Sequence, residues 1–370
     1  MKIAIAGAGL VGRMIALQLL GSGLECAITL YDRETKEGVE AAGFTAAGML
    51  APFAELETAE SVIMELGRRS MTLWPSLVRQ IGLYDGHQHR GTLITAHPQD
   101  RSELEHFIAT LRRKVPEAAQ IETIASERFA QLEGDLAHHT QGFYIPDEGV
   151  IDAQRFMAFT VTYFDRMPSV TFREHTPVTH LEPHTIHTAQ GQEHYDWVFD
   201  ARGLGAQEHF DDLRGVRGEL VWVEANDIDI TRPVRLMHPR YRIYIVPRGN
   251  GCEGIDLDYC ADCKLSGTTG YKRYIVGASE IESDDRSPIS VRTTMELLSA
   301  LYTVHPGFGE ARMVNTETNA RPAFADNLPR IENTAGLTRI NGLYRHGYLL
   351  APALVEQALR EGILRQGVGA

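Results

Sequence analysis

The chain has 370 residues, 43% of them hydrophobic, which suits a full core and either two domains or one domain interrupted by another. Forty-nine acidic against thirty-six basic side chains give a formal charge of −13 without a basic block, which argues against nucleic acid or an anionic membrane as a partner. No long apolar run suggests a membrane span, and four cysteines (Cys26, Cys252, Cys260 and Cys263) are too few for a disulfide framework and fit a reducing, cytoplasmic compartment.

The segment Met1 to Asp32 predicts strand, glycine turn, helix and strand in that order. Its turn is Gly7-Ala-Gly9-Leu-Val-Gly12, the spacing of a dinucleotide-binding loop. Gly7 suits the tight turn, Gly9 admits a pyrophosphate to the main chain, and Gly12 lets the helix lie close on the strand. The helix N-terminus then offers free N–H groups and a positive dipole end to the diphosphate. Asp32, at the end of the second strand, is placed to accept hydrogen bonds from both ribose hydroxyls. A signal peptide is the competing reading of this apolar start, but Arg13 interrupts the stretch and no small-residue cleavage site follows.

Helical spacing continues from Glu60 to Gln80, with Ile63, Leu66, Met71, Leu73, Leu77 and Val78 as an apolar stripe, and again from Arg101 to Lys114. Gly91–Ala96 reads as a strand between these helices, and a further helix begins near Asp152 after a turn-rich stretch. Val170–Arg173, Thr176–His180, Thr185–His187 and Trp197–Asp200 read as short strands, which is not a regular series of parallel βαβ units. From Val216 to Ala278 the alternating runs Glu219–Glu224, Tyr241–Val246 and Tyr274–Ala278 predict an antiparallel sheet. Ser287-Pro288 opens a helix with Met295, Leu298, Leu301 and Tyr302 on one face, Ile340–Tyr344 reads as a strand, and Ala353–Leu364 as a closing helix.

Gly249–Tyr271 interrupts the strands that should pair as a hairpin, and it carries Cys252, Cys260 and Cys263. One CxxC pair is half a zinc site with no second half, and nothing around it would lower a thiol pKa, so a long hairpin insertion is preferred to a metal or redox site. His175, His180, His184, His187 and His194 match no helix-borne metal pair and read as surface residues. Neither a nucleophile elbow nor a GxxxxGK[ST] phosphate loop occurs, so the chemistry is expected to come from the bound cofactor.

Several segments in a fixed order resemble the D-amino-acid oxidase and glycine oxidase family of FAD-dependent amine oxidases, with the glycine oxidase branch that serves thiamine biosynthesis most similar. The carriers are Gly7-x-Gly9-x-x-Gly12 with Asp32, Thr45–Pro52, Tyr144–Gly149 with Asp152, Asp200–Gly203, Val216–Gly218, Ala320–Pro322 and Leu343–Pro352. The resemblance implies an α/β fold in which residues 1–85, 145–215 and 311–370 form a discontinuous, Rossmann-like FAD-binding domain. Residues 86–144 and 216–310 would form a substrate domain around a mixed, largely antiparallel sheet.

By the same resemblance Ala46, Ala47, Gly48, Met49, Gly203, His346, Gly347, Tyr348 and Leu349 join the glycine turn and Asp32 in holding FAD. Arg321 resembles the arginine that grips the substrate carboxylate and Tyr244 the tyrosine that assists it, with Arg345 beside the flavin ring. The implied reaction is oxidation of a small amino acid, glycine first, to an imine and then an α-keto acid and ammonia, with dioxygen reduced to hydrogen peroxide. A sarcosine or D-amino-acid oxidase is the near alternative, and a flavoprotein acting with a partner protein the distant one. A nicotinamide dehydrogenase would share the first segment but predicts a regular doubly wound sheet. Whether the chain forms a homo-oligomer is left open by the sequence.

Overall fold

The computed structural model describes residues 1–115, 121–238, 242–248 and 272–366. The Cys252, Cys260 and Cys263 insertion lies outside the described residues. In chain order the elements are β1 (Lys2–Ala6), α1 (Leu10–Gly21), β2 (Ala27–Tyr31), β3 (Met49–Leu50), α2 (Ser61–Gln80), β4 (His87–Gln88), β5 (Thr92–Ala96), α3 (Arg101–Lys114), β6 (Glu122–Ile124) and α4 (Ser126–Leu132). There follow β7 (Gly142–Ile145), β8 (Gly149–Ile151), α5 (Ala153–Asp165), β9 (Val170–Arg173), β10 (Val178–Glu182), β11 (Thr185–Thr188), β12 (Gly191–His194), β13 (Trp197–Asp200), β14 (Arg214–Glu224), β15 (Val234–Met237), β16 (Arg242–Pro247) and β17 (Arg273–Gly277). The last are β18 (Ile281–Glu282), α6 (Val291–Val304), β19 (Arg312–Ala323), β20 (Arg330–Thr334), β21 (Leu337–Asn341), α7 (Gly347–Glu361) and α8 (Ile363–Gln366).

Two large sheets organise the chain. The first runs β20-β21-β13-β1-β2-β9, parallel throughout except for the β20–β21 hairpin at its edge. The second runs β18-β14-β17-β16-β15-β5-β7-β6 with β19 along β14, and it is antiparallel except where β15 meets β5. The α/β class with a mixed, largely antiparallel second sheet is therefore as expected. A three-stranded meander, β10-β11-β12, and a small sheet, β3-β8-β4, complete the pattern. Among the described residues no helix is long and apolar enough to cross a membrane.

α1 is apolar on nearly every side because it is covered on nearly every side. Its Met14, Ile15, Ala16, Leu17 and Leu19 are buried in one core with Ile3 and Ile5 of β1, Trp74 of α2, Phe156 of α5 and Leu350 of α7. Each such aliphatic side chain contributes about 1.5–3 kcal/mol on burial.

The faces of two helices differ from the sequence expectation for identifiable reasons. On α2 the buried positions are Ile63, Gly67, Ser70, Trp74, Leu77 and Val78, while Leu66, Met71 and Leu73 are only half-buried. Small residues serve here because α7 comes close: a Cβ on Gly67 would stand 2.9 Å from Leu349 Cδ1, and Ser70 Oγ accepts from the Ala353 N–H at 3.1 Å. On α6 the buried residues are Thr293, Leu297, Ala300, Leu301 and Val304, and Met295 and Tyr302 are exposed. The rotation follows from a buried acid, Glu219, which accepts from Thr293 Oγ1 and from the Ser290 N–H while pairing with Arg217. That network anchors the helix with Thr293 inward, so its apolar face follows at 297, 300, 301 and 304.

The C-terminal expectations also shift. The strand ends at Asn341, because Gly342 turns the chain at a φ of 76°, and Tyr344–His346 form a short 3-10 turn. The closing helix starts at Gly347 instead of Ala353 and takes Pro352 into its interior. Proline supplies no N–H to the carbonyl four residues back, and Trp74 Nε1 donates to that Tyr348 carbonyl instead, at 3.1 Å. The expected strand at Thr176–His180 is found at Val178–Glu182. The sequence predicts no strand at β3, β4, β6, β7, β8, β12, β15, β18, β19 or β20, and the region of β7 and β8 reads as turn-rich.

Candidate functional site

A cavity of about 960 Å³ opens between the C-terminal ends of the parallel strands and the β14–β19 face of the second sheet. Crevices outside the carboxyl ends of parallel strands are where such sheets bind ligands. One end is walled by the glycine turn and Asp32, the middle by residues 45–49, Gly203 and 346–349, and the other end by Tyr244, Arg321 and Arg345.

The glycines of the turn divide by task. Gly7 has a φ of 93°, and a Cβ there would strike Ala201 O at 2.5 Å, so the backbone itself demands glycine. Gly12 does not line the cavity; a Cβ there would lie 1.9 Å from Gly7 O, the close helix-to-strand approach expected of it. Gly9 is different, since a Cβ would meet only Ala41 Cβ at an ordinary 3.7 Å. Among the described residues no contact requires glycine at position 9, which leaves an open wall for a ligand. The first turn of α1 carries no acidic residue and no side-chain cap, so its N–H groups are free for an anion. Asp32 accepts from the Ala8 N–H at 2.6 Å and the Glu34 N–H at 3.0 Å, which fixes its carboxylate in the cavity wall with lone pairs to spare for ribose hydroxyls. These features fit a dinucleotide.

The middle of the cavity is built from straps. Gly48, at a φ of 64°, accepts at its carbonyl from the Ile151 N–H, and Arg248 donates to the Ala47 carbonyl, so Ala46, Ala47, Gly48 and Met49 are held against β8. Asn341 Nδ2 donates to the Gly203 carbonyl at 2.9 Å. His346, Gly347, Tyr348 and Leu349 form the start of α7, a second helix N-terminus in the wall without an acid in its first turn. Tyr348 is fixed from below, stacked on Trp74 and donating to the Ala153 carbonyl.

At the far end two further glycines make room for two side chains. Arg321 of β19 crosses β14 at Gly218, where a Cβ would lie 2.1 Å from its Nη2. Tyr244 of β16 faces Gly277 of β17, where a Cβ would lie 2.8 Å from its hydroxyl. Arg321 donates to the Ser279 carbonyl at 3.1 Å, and among the described residues no carboxylate pairs with it. Burial pushes the Tyr244 hydroxyl above its ordinary value, opposed by the nearby Arg321, Arg235 and Arg248.

Arg345 is in a different situation. It pairs with Glu55 at 3.0 Å and Glu280 at 3.2 Å, and it donates to Thr58 Oγ1. Glu55 also binds Arg235 and lies 3.3 Å from His346 Nδ1. Burial would raise the Glu55 carboxyl, but Arg345 and Arg235 outweigh it and hold the group well below the usual carboxylate range. Burial lowers the His346 pKa to about 4, so its ring is neutral at neutral pH. Glu280 in turn accepts from Tyr344, a residue held at a left-handed φ of 52°. Glu55, Arg235, Glu280 and the two accommodating glycines thus complete an end of the site for which the sequence marked only Arg321, Tyr244 and Arg345. Gly218 stood in a quoted motif without a role, and the others had no signal. The five strand-region histidines lie outside this cavity; all are exposed except the half-buried His187.

The profile of the DAO family, described as FAD dependent oxidoreductase, matches residues 2–357. The chain belongs to that family. A Rhizobium etli protein carrying the provisional name thiamine biosynthesis oxidoreductase ThiO is 36% identical over 370 residues, covering 99% of this chain and 98% of its own length. Among solved structures, the DAO-family chain is similar to glycine oxidase from Geobacillus kaustophilus (TM-score 0.78, 22% identity, 98% of this chain and 95% of that one). It is also similar to glycine oxidase from Bacillus cereus (TM-score 0.76, 20% identity, 96% and 93%) and to iminodiacetate oxidase from Chelativorans (TM-score 0.74, 19% identity, 96% and 94%). The cofactor of this DAO-family oxidoreductase is FAD, and the open wall at Gly9, the uncapped α1 and the anchored Asp32 fit its dinucleotide half.

Proposed function

We propose that the protein oxidises a small amino acid, glycine first, to the imine, which hydrolyses to the α-keto acid and ammonia while dioxygen is reduced to hydrogen peroxide. The observation that carries this reading is Arg321. Of the arginines at that end of the cavity, Arg235 pairs with Glu55 and Arg345 with Glu55 and Glu280, whereas among the described residues Arg321 has only a backbone carbonyl as partner. A half-buried guanidinium without a counter-ion favours an anionic ligand, and its planar fork suits a carboxylate. Tyr244, beside it, offers a hydroxyl that stays protonated and can donate to the same group.

Bound FAD supplies the two-electron oxidant. Arg321 and Tyr244 grip the carboxylate and so fix where the α-carbon lies, and the neutral His346 adds no charge to compete for the amine. Arg345 holds Glu55 and Glu280 in place; it is a positioning residue. Ala46, Ala47, Gly48, Met49, Gly203, Gly347, Tyr348 and Leu349 enclose the cofactor's reactive part, and Gly7, Gly9 and Asp32 its dinucleotide part. We assign residues 1–85, 145–215 and 311–370 to an FAD-binding domain on the six-stranded sheet, except that β19 within the last segment pairs along β14 and so belongs with the second sheet. The second sheet forms the substrate domain.

The names of the relatives support glycine as the substrate and a place in thiamine biosynthesis. The iminodiacetate oxidase among them supports secondary amines such as sarcosine as the second reading. Anaerobic addition of glycine, sarcosine and D-alanine to the purified protein tests this directly. Glycine is expected to bleach the long-wavelength flavin band fastest. Bound flavin that none of the three bleaches would overturn the proposal in favour of a flavoprotein acting with a partner protein.

A further inference from the structure

Arg13, directly after Gly12 in α1, is fully buried. Its Nε donates to the Ala8 carbonyl at 2.7 Å, Nη1 to the Met157 carbonyl at 2.8 Å and to Thr160 Oγ1 at 2.7 Å, and Nη2 to the Lys36 carbonyl. All four partners are neutral, and among the described residues no carboxylate pairs with it. Burial lowers its pKa to about 10, so it is charged at neutral pH, and the acids that favour its charge from nearby are Asp32, already held by the Ala8 N–H, and Glu37, with the Tyr348 hydroxyl also facing it.

Three carbonyls and a hydroxyl take up four of the guanidinium's N–H donors, but no carboxylate among the described residues touches it, so its charge is offset only from a distance by Asp32 and Glu37, a costly arrangement for a buried group unless something else adds negative charge. The placement indicates what does. Ala8 lies between Gly7 and Gly9, which line the cavity. A Cβ on Gly38, also in the wall, would come 3.0 Å from Arg13 Nη2. The guanidinium therefore lies just beneath the loops at 7–9 and 36–38, on the same side as the uncapped start of α1.

We propose that Arg13 is the countercharge for the diphosphate of FAD, acting through the Gly7–Gly9 loop without touching the cofactor. Its field adds to the positive end of α1, and the diphosphate in return offsets the buried charge. Arg13 is a positioning residue, and cofactor binding completes the electrostatics of the core beneath it.

The test is FAD affinity of the apoprotein, read from quenching of flavin fluorescence, for wild type, Arg13→Gln and Arg13→Lys. Glutamine keeps a donor and loses the charge; lysine keeps the charge and loses the fork. Arg13→Gln is expected to bind FAD about tenfold more weakly or worse, each tenfold being about 1.4 kcal/mol. Arg13→Lys should stay within about threefold of wild type at pH 7 and fall toward the glutamine variant by about pH 9.5, because a buried ammonium loses its proton earlier than a free one. ADP and adenosine serve as probes of the same half-site: Arg13→Gln should weaken ADP and leave adenosine unchanged.

Equal weakening of FAD by glutamine and lysine at pH 7, equal weakening of ADP and adenosine, or unchanged FAD affinity in Arg13→Gln would each overturn the proposal. Loss of the apoprotein fold in both variants would do the same by making Arg13 a structural clamp.

Discussion

The accommodation of Arg321 by Gly218 predicts that one methyl group, placed outside the cofactor site, disables substrate binding. In Gly218→Ala the new Cβ would lie 2.1 Å from Arg321 Nη2 and 2.3 Å from Cζ. The β14–β19 ladder fixes the backbone on which it sits, so the flexible end of the arginine gives way, and the carboxylate loses its charge-assisted fork. Hydrogen bonds to charged groups are worth about 1.5–3 kcal/mol, so KM for glycine should rise roughly 10- to 150-fold. kcat, FAD content and melting temperature should change little, since no buried apolar contact is lost. Steady-state peroxide production, with flavin absorbance measured on the same samples, provides the assay. The Gly218→Ala/Arg321→Ala double variant should bind glycine no worse than Arg321→Ala alone, because both changes remove one interaction. An unchanged KM in Gly218→Ala, or a loss of FAD that parallels the loss of activity, would refute Arg321 as the carboxylate grip.

Gly9→Ala should leave the apoprotein melting temperature unchanged and weaken FAD binding, whereas Gly7→Ala, at a φ of 93° and against Ala201 O, should cost about 1–3 kcal/mol of apoprotein stability as well; melting curves with and without FAD separate the two. Glu55→Gln strands Arg235 and leaves Arg345 with Glu280 alone, and should cost about 3–5 kcal/mol, the range for breaking a buried pair, read as a lowered urea midpoint. Burial pushes the Glu148 carboxyl up from 4.5 to about 7, so the folded chain binds more protons than the unfolded one between those values, and stability falls as pH rises through that window. Glu148→Gln keeps an oxygen for the Phe53 and Ala54 N–H groups. It should melt higher than wild type at pH 8 and close to it at pH 5; a gain at pH 5 as large as at pH 8 would contradict the assignment.

The parts of the fold legible in the sequence are those whose local chemistry and tertiary role agree. The β1–α1–β2 unit is one: the turn needs glycine at position 7 for its backbone angles, and α1 is apolar on nearly every side because it is covered on nearly every side. The alternating runs of β14, β16 and β17 are another. β19 was invisible because its centre, Asn315–Asn319, is polar throughout, and its pairing with β14 holds it in place without a hydrophobic alternation there. The face of α6 was misplaced because Glu219, a buried acid more than seventy residues earlier, anchors Thr293. The start of α7 was hidden by Pro352, tolerated only because Trp74 of α2 satisfies the carbonyl that proline leaves free. Each of these outcomes depends on a partner far away in the chain.

The same distinction separates the two ends of the cavity. The dinucleotide end is assembled from a single stretch, and its glycines are spaced as the turn requires, so it can be read from sequence. At the far end the deciding fact is a difference in charge state among arginines at positions 235, 321 and 345, and no local pattern separates them. Glu55, Arg235 and Arg345 come from three separate regions of the chain, and only in the fold do Glu55 and Glu280 pair with two of the arginines while Arg321, among the described residues, meets no carboxylate. Gly218 and Gly277 belong to the same logic. A glycine inside a strand weakens it and so reads as a defect, yet here each one is the space into which a functional side chain of the neighbouring strand fits. The carboxylate site proposed at Arg321 is specified by what the described residues withhold, a counter-ion from Arg321 and a side chain from position 218, and such absences acquire meaning only once the strands are paired.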